Sequence, residues 1–201
     1  RIKGLTTLTV NHLAQPYDQE YPLYRTGIAV GDYPVDHHHA SHPNAEDLPE
    51  LHFYPVPSYS VPMGCLIPQN IDNLIVAEKS ISVTNIVNGT TRLQPVVLQI
   101  GQAAGLIATL SIKENVTPAA VQVRALQSLL LEEGAYLLPY LDVPKDHPRF
   151  KVYQRIGSTG IMKGMGMNVG WENQTWFFDK KEMTQSDMDH ALSELRKHKD
   201  L

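Results

Sequence analysis

A single cysteine, Cys65, stands among the 201 residues, so no disulfide can close within the chain. That suits a reducing compartment and equally an exported protein that needs no staple, so it leaves location open. Charge of either sign is scarce as well: 17 Lys and Arg against 21 Asp and Glu give a formal −4 at pH 7, and the basic residues form no long run. Nucleic acid and anionic membrane surfaces are therefore not expected partners. No apolar run approaches the roughly 18 to 20 residues of a bilayer span, so no membrane span is expected. A charged-then-apolar leader is missing too. So is an initial Met: Arg1 to Val10 already carries Leu5, Leu8 and Val10 among threonines, and this start reads as a cut or a processing site.

What is present is the makeup of a folded chain, 42% hydrophobic and 19% charged, enough for one ample core or two modest ones. Residues 1–65 are rich in Pro, Tyr, His and Thr, with short β-prone pieces at Thr6–Val10 and Gly27–Val30, and read as strands and long loops. Prolines 55, 57 and 62 make residues 52–62 extended and unfit for a central ladder. Residues 66–138 form a second part. There the apolar run Asn73–Ala77 reads as a strand buried on both faces in a parallel sheet. Pro95 at a first helical position opens a helix over Val96–Lys113 whose apolar residues surround nearly its whole circumference, predicting burial all round. Thr117-Pro118 starts a further helical segment that Gly134 stops. Residues 139–201 begin with a linker-like stretch and predict a helix over Phe150–Ile161 and a loop over Gly160–Gly170. A last helix follows, with Thr184 as cap, Asp187 at its third position, and Met183 and Met188 as a hydrophobic staple. Arg196, Lys197 and Lys199 suit the negative end of its dipole. The whole is a mixed α/β chain.

Chemistry concentrates between Asn73 and Gly105. A strand, the turn Glu78-Lys79, the segment Asn88-Gly-Thr-Thr-Arg-Leu-Gln-Pro95 and a helix carrying Gly101-Gln-Ala-Ala-Gly105 follow one another. A strand ending in a polar turn offers backbone donors at a sheet's carboxyl edge, and a helix N-terminus offers unpaired N–H groups to an electron-rich carbonyl or anion. Gly101 and Gly105 clear one stripe of side chains, for close approach to a sheet or for ordinary small-residue packing.

Gly31-Asp-Tyr-Pro-Val-Asp-His-His-His39, Ile67-Pro through Ala77, Gly89-Thr-Thr-Arg-Leu-Gln-Pro95 and Ile100-Gly-Gln-Ala-Ala-Gly105 together resemble the C-terminal half of bacterial FAD-dependent oxidoreductases, members of which are often labelled xanthan lyases. The resemblance covers roughly residues 25–135. It implies a C-terminal fragment of a glutathione-reductase-like FAD-binding α/β domain, a β-rich piece of a substrate domain, and flavin-mediated hydride transfer from an unknown, carbohydrate-related or other small-molecule substrate. It also implies that Thr91, Arg92, Leu93, Gln94 and Pro95 lie by the flavin ring and that Ala77, Glu78 and Lys79 approach the ribityl or phosphate region. Relatives commonly carry a glycine and a basic residue where this chain has Glu78-Lys79, so the Glu78 carboxylate either faces a ribityl hydroxyl or points away. The family's Gly-x-Gly-x-x-Gly phosphate loop is not found before Asn73. Gly164-Met-Gly166 to Gly170 has the wrong spacing for it, so the expected partner is a missing N-terminal half of the same protein. Without that half the fragment is expected to be inactive.

Asp36, His37, His38, His39 and His42 admit three readings. Neighbouring side chains of an extended segment point to opposite faces, so at most Asp36 with His38, or His37 with His39, share a side as metal ligands. A structural polar network is the second reading. The resemblance implies the third: the segment lines the substrate side of the flavin, where Asp36, His38 and His39 act with Arg92 and a histidine moves protons. Arg92 itself reads as a sheet-edge arginine or as a cation beside the flavin N1 and O2 edge. Residues 141–201 resemble an S-layer-homology module, which makes a packing appendage or a cell-wall anchor. The competing functions are a carbohydrate- or cell-wall-associated binding module and a polysaccharide lyase.

Overall fold

A computed structural model describes residues 1–36, 54–169 and 172–197. Its elements in chain order are α1 (Val10–Ala14), β1 (Gly27–Gly31), β2 (Tyr59–Pro62), α2 (Asn88–Thr91), α3 (Gln94–Glu114), α4 (Val123–Glu132), α5 (Phe150–Thr159), β3 (Met165–Val169), β4 (Glu172–Trp176) and α6 (Gln185–Lys197). Helix and strand mix throughout, as an α/β reading requires. Both sheets among the described residues are antiparallel pairs, β1 with β2 and β3 with β4.

The long helix α3 organises the core. Val96, Val97, Ile100, Ala103, Ile107 and Leu110 recur three and four residues apart, and this stripe is buried on the side that meets β1 and α4. Gln99 fixes its register against the sheet: its side-chain oxygen accepts the Val30 N–H at 3.0 Å and its amide donates to the Val30 carbonyl at 3.1 Å, as a neighbouring strand would. The outward side is bare. Leu98 is 71% and Ile112 82% exposed, and a Cβ added at Gly101 or Gly105 would meet nothing within 4 Å. Burial all round is thus corrected to burial along one stripe. Pro95 sits inside the first turn, with Leu93 as the cap residue. Contrary to the expectation of no span-length segment, α3 is long and apolar enough to cross a bilayer by length and composition, a test that core helices also pass. Its glycines, alanines, Ser111 and Thr109 had masked the length of that run.

Asn73–Ala77 is not a strand. Asn73 and Leu74 are exposed, and the segment's link to another part of the chain is the Val76 N–H on the Leu66 carbonyl at 2.8 Å. A parallel strand needs a ladder on its flanks, and no such neighbour exists among the described residues. The predicted loop over 160–170 is corrected as well: Met165–Val169 is β3, in register with β4 from Met165↔Trp176 to Val169↔Glu172. The β-prone start makes bridges rather than a strand, Gly4 with Pro68 and Leu8 with Val83, and helix α1 takes over at Val10.

Other local signals hold. Gly134, at φ +76, follows α4, and the Ala135 N–H closes on the Leu130 carbonyl at 2.8 Å. The helix expected to run to Ile161 ends two residues earlier, because Gly160 turns the chain at φ +82 after Thr159. Thr184 and Asp187 cap α6 reciprocally: the Asp187 carboxylate accepts the Thr184 N–H at 2.9 Å, and the Thr184 hydroxyl accepts the Asp187 N–H at 3.2 Å. Met183 and Met188 stay exposed, and Lys199 lies outside the described residues. Cys65 is fully buried, which pushes its thiol up to about 12 and keeps it an inert packing group.

Gln154 ties α5 to the rest of the core. Fully buried, it accepts the N–H groups of Leu137 and Leu138 at 2.8 Å each and donates to the Leu138 carbonyl at 2.8 Å. Gln154→Leu keeps the volume and leaves these backbone groups without partners, so urea unfolding should show a loss of roughly 3 kcal/mol. A loss under about 0.5 kcal/mol would mean that water or a rearranged side chain replaces the glutamine.

Candidate functional site

The segment that leaves β1 and the turn that enters α3 meet around one peptide group. Tyr59, 1% exposed on β2, donates its hydroxyl to Thr90 Oγ1 at 2.8 Å, and Thr90 in turn donates to the Tyr33 carbonyl at 2.7 Å. Burial pushes the Tyr59 phenol well up, so it stays a neutral donor. Three residues on, Asp36 turns toward α2. Its carboxylate Oδ2 lies 3.6 Å from Arg92 Nη2 and 3.4 Å from the Tyr33 hydroxyl, and Arg92 also donates to the Asp36 carbonyl at 3.4 Å. The Asp36 side chain is 13% exposed and that of Arg92 36%, so the pair stands near the surface rather than in the core.

Gly89 permits this approach. A Cβ there would sit 2.5 Å from the Asp36 oxygen and 2.7 Å from its carbonyl carbon, and the obstacle is backbone that cannot swing aside. Asp36 and Arg92 are separate candidates in the sequence, and the fold brings them together across 56 positions. His38 and His39, with the metal reading of the histidine cluster, lie outside the described residues.

The predicted cofactor-side residues divide by exposure. Gln94 and Pro95 are exposed at the first turn of α3, while Arg92 and Leu93 are half-buried. Thr91 is 1% exposed with its hydroxyl on the Val87 carbonyl at 3.3 Å, so it offers a ligand its backbone rather than its side chain. Ala77, Glu78 and Lys79 lead into and form a 3-10 turn packed against α3. Glu78 is exposed there at φ +58, the left-handed region that a side chain disfavours. The Asn88 side-chain oxygen is buried and has no hydrogen-bond partner among the described residues.

Chemically, a helix N-terminus with an exposed first turn and an adjacent arginine suits a flat, polar-edged ring system that carries electron-rich carbonyls. These are features a flavin needs, so the residues present fit that group.

Sequence reasoning missed Tyr33, Thr90 and Asn173. Asn173 and Thr175 are buried on β4 and alternate with the half-exposed Gln174 and Trp176. That alternation of small polar residues was the available signal for an inward-facing polar face.

Gly89→Ala should force Asp36 away from α2 and destabilise the protein by about 1–3 kcal/mol in urea unfolding. Thermal melts unchanged to within a degree would show that the two backbones do not touch.

No curated protein and no solved structure matches the chain. The family model described as FAD dependent oxidoreductase matches residues 1–130, a span that holds β1, β2 and α2, the Asp36–Arg92 pair and all of α3. The chain therefore belongs to the FAD dependent oxidoreductase family.

Proposed function

We propose that this chain supplies the ring-facing side of an FAD-dependent oxidoreductase acting on a small molecule of carbohydrate-related or similar chemistry. When bound, FAD supplies the two-electron chemistry, taking a hydride from the substrate. The chain's own residues hold and orient it. The first-turn amides of α3 and the backbone of Thr91–Gln94 meet the ring's carbonyl edge, Pro95 fixes the start of the turn, and Arg92 places a positive charge beside that edge. Ala77, Glu78 and Lys79 face the ribityl and phosphate side. Asp36 is assigned to the substrate side, and His38 or His39 is the imidazole that takes or returns the substrate's proton.

The observation that carries this reading is the bareness of α3. Its entry at Gln94 and Pro95 is exposed, and its outward stripe presents Leu98, Gly101, Gly105 and Ile112 to solvent. Apolar and small-residue surface of this kind is what close packing against further backbone would cover. We assign that cover to the remainder of the FAD domain, carried by an N-terminal half of the same protein together with the phosphate-binding glycine turn. We accordingly assign α3 to a domain core rather than to a membrane. Without that half, the chain is not expected to turn over substrate.

A second reading, binding of a cell-wall or other saccharide by residues 139–201, is favoured by a groove of about 680 Å³ whose lining includes Tyr17, Phe177, Phe178, Lys181 and His190. The half-exposed Phe178 with Lys181 and His190 at the rim offers the kind of apolar and polar surface that sugars use. It competes with the flavin reading only if the intact protein holds no flavin.

Purified intact protein should absorb between about 350 and 500 nm, as bound flavin does, and Arg92→Met should weaken FAD binding by about tenfold. Colourless protein whose melting temperature ignores added FAD would defeat the proposal.

A further inference from the structure

The backbone of Tyr33 is held at both its N–H and its carbonyl. Thr90, two residues before Arg92, holds its carbonyl at 2.7 Å. Its N–H is held from β4: with its amide oriented to satisfy both ends, Asn173 accepts the Tyr33 N–H at 2.9 Å and donates to the Val56 carbonyl at 2.6 Å. Asn173 is 5% exposed, and its surroundings are equally committed. Ser58 Oγ donates to the Asn173 carbonyl at 3.2 Å, and Thr175, fully buried, donates to the Ser58 carbonyl at 3.1 Å. Gly166 on β3 lies so close to Pro57 that a Cβ would sit 2.7 Å from the proline ring. The β3–β4 hairpin, which falls wholly beyond the family match at residues 1–130, is thus sewn by buried contacts to residues 56–58 and, through Asn173, to Tyr33.

We infer that Asn173 is a positioning residue for the site: by fixing the Tyr33 peptide it sets how closely the Asp36 carboxylate approaches Arg92, and so how much of the arginine's positive charge reaches a ring bound at the entry of α3. The inference rests on the flavin placement proposed above. Its physics is short-range. Buried amide–peptide bonds resist sliding because each broken partner loses its desolvation compensation, whereas a half-exposed ion pair at 3.6 Å gives way easily. Val35, buried and bonded to Tyr54 at 2.8 and 3.0 Å, holds the middle of the Tyr33–Asp36 limb, so a change at Tyr33 is taken up at its partly exposed end, the Asp36–Arg92 contact. Positive charge near the ring favours its reduced form, so a weaker Asp36–Arg92 contact raises the cofactor's potential.

The test is the reduction potential of FAD bound to the intact protein. Asp36→Asn should raise it by about 30 mV, tenfold in the equilibrium of a two-electron couple. Asn173→Ala should shift it in the same direction at least threefold, and the double variant should go no further than Asp36→Asn alone, because both changes act on one contact. Should Asn173→Ala not fold, Asn173→Ser, polar but too short to reach the Tyr33 amide, takes its place. A folded Asn173 variant with the parent's potential, or one whose shift adds to that of Asp36→Asn, overturns the inference. Arg92→Met separates the two levels. If it lowers the potential while the Asn173 variants do nothing, the flavin placement stands and the positioning role fails. If it leaves the potential unchanged, the placement itself fails and the inference with it.

Discussion

The architecture depends on how α3 lies against β1. The Gln99 side chain bonds both polar groups of Val30, and the stripe from Val96 to Leu110 packs behind it, so the rotation of the helix about its axis is fixed. Everything at the site follows from that rotation. The helix's first turn lies beside the loop that leaves β1, Arg92 comes to the Asp36 carboxylate, and the glycine-bearing stripe turns outward. A rotation of one residue, about 100°, would carry Ile100 to the exposed place of Gly101 and take Gln99 off Val30.

That constraint explains why one face of a core helix is left apolar and uncovered. Leu98 and Ile112 gain nothing from solvent, and a glycine pair in a helix interior costs on the order of 1 kcal/mol each relative to alanine. A sequence keeps such a stripe where backbone must come close. The unpaired run Leu74–Ala77 reads the same way: extended, partly apolar, with one backbone link to Leu66 and no ladder among the described residues. The proposed placement of α3 inside a larger FAD domain would give both features a common cause.

Local chemistry was legible in the sequence wherever a residue acts on its immediate neighbours. The Thr184–Asp187 cap, the stop at Gly134 and the start of α5 at Phe150 are all decided within four or five residues. Expectations failed where the deciding partner lies elsewhere. Asn73–Ala77 has the composition of a buried strand, but a strand exists only by pairing. Met165–Val169, with its glycine and asparagine, has the composition of a loop and becomes a strand because β4 pairs with it. At the site, Arg92 and Asp36 were each recognisable as candidates, yet nothing local announces a contact across 56 positions or the glycine that permits it. Asn173 was hidden more thoroughly, since it lies 140 positions from Tyr33 and nothing local shows that its amide is buried against that residue.

The central claim is that the outward stripe of α3 is an interior surface of the intact protein. Hydroxyl-radical footprinting of that protein tests it directly, with the exposed Leu5 and Leu141 as internal references. The account predicts that Leu98 and Ile112 are oxidised several-fold more slowly than the two references. Oxidation of Leu98 and Ile112 at the reference rate or faster, as exposures of 71% and 82% would give, would contradict it.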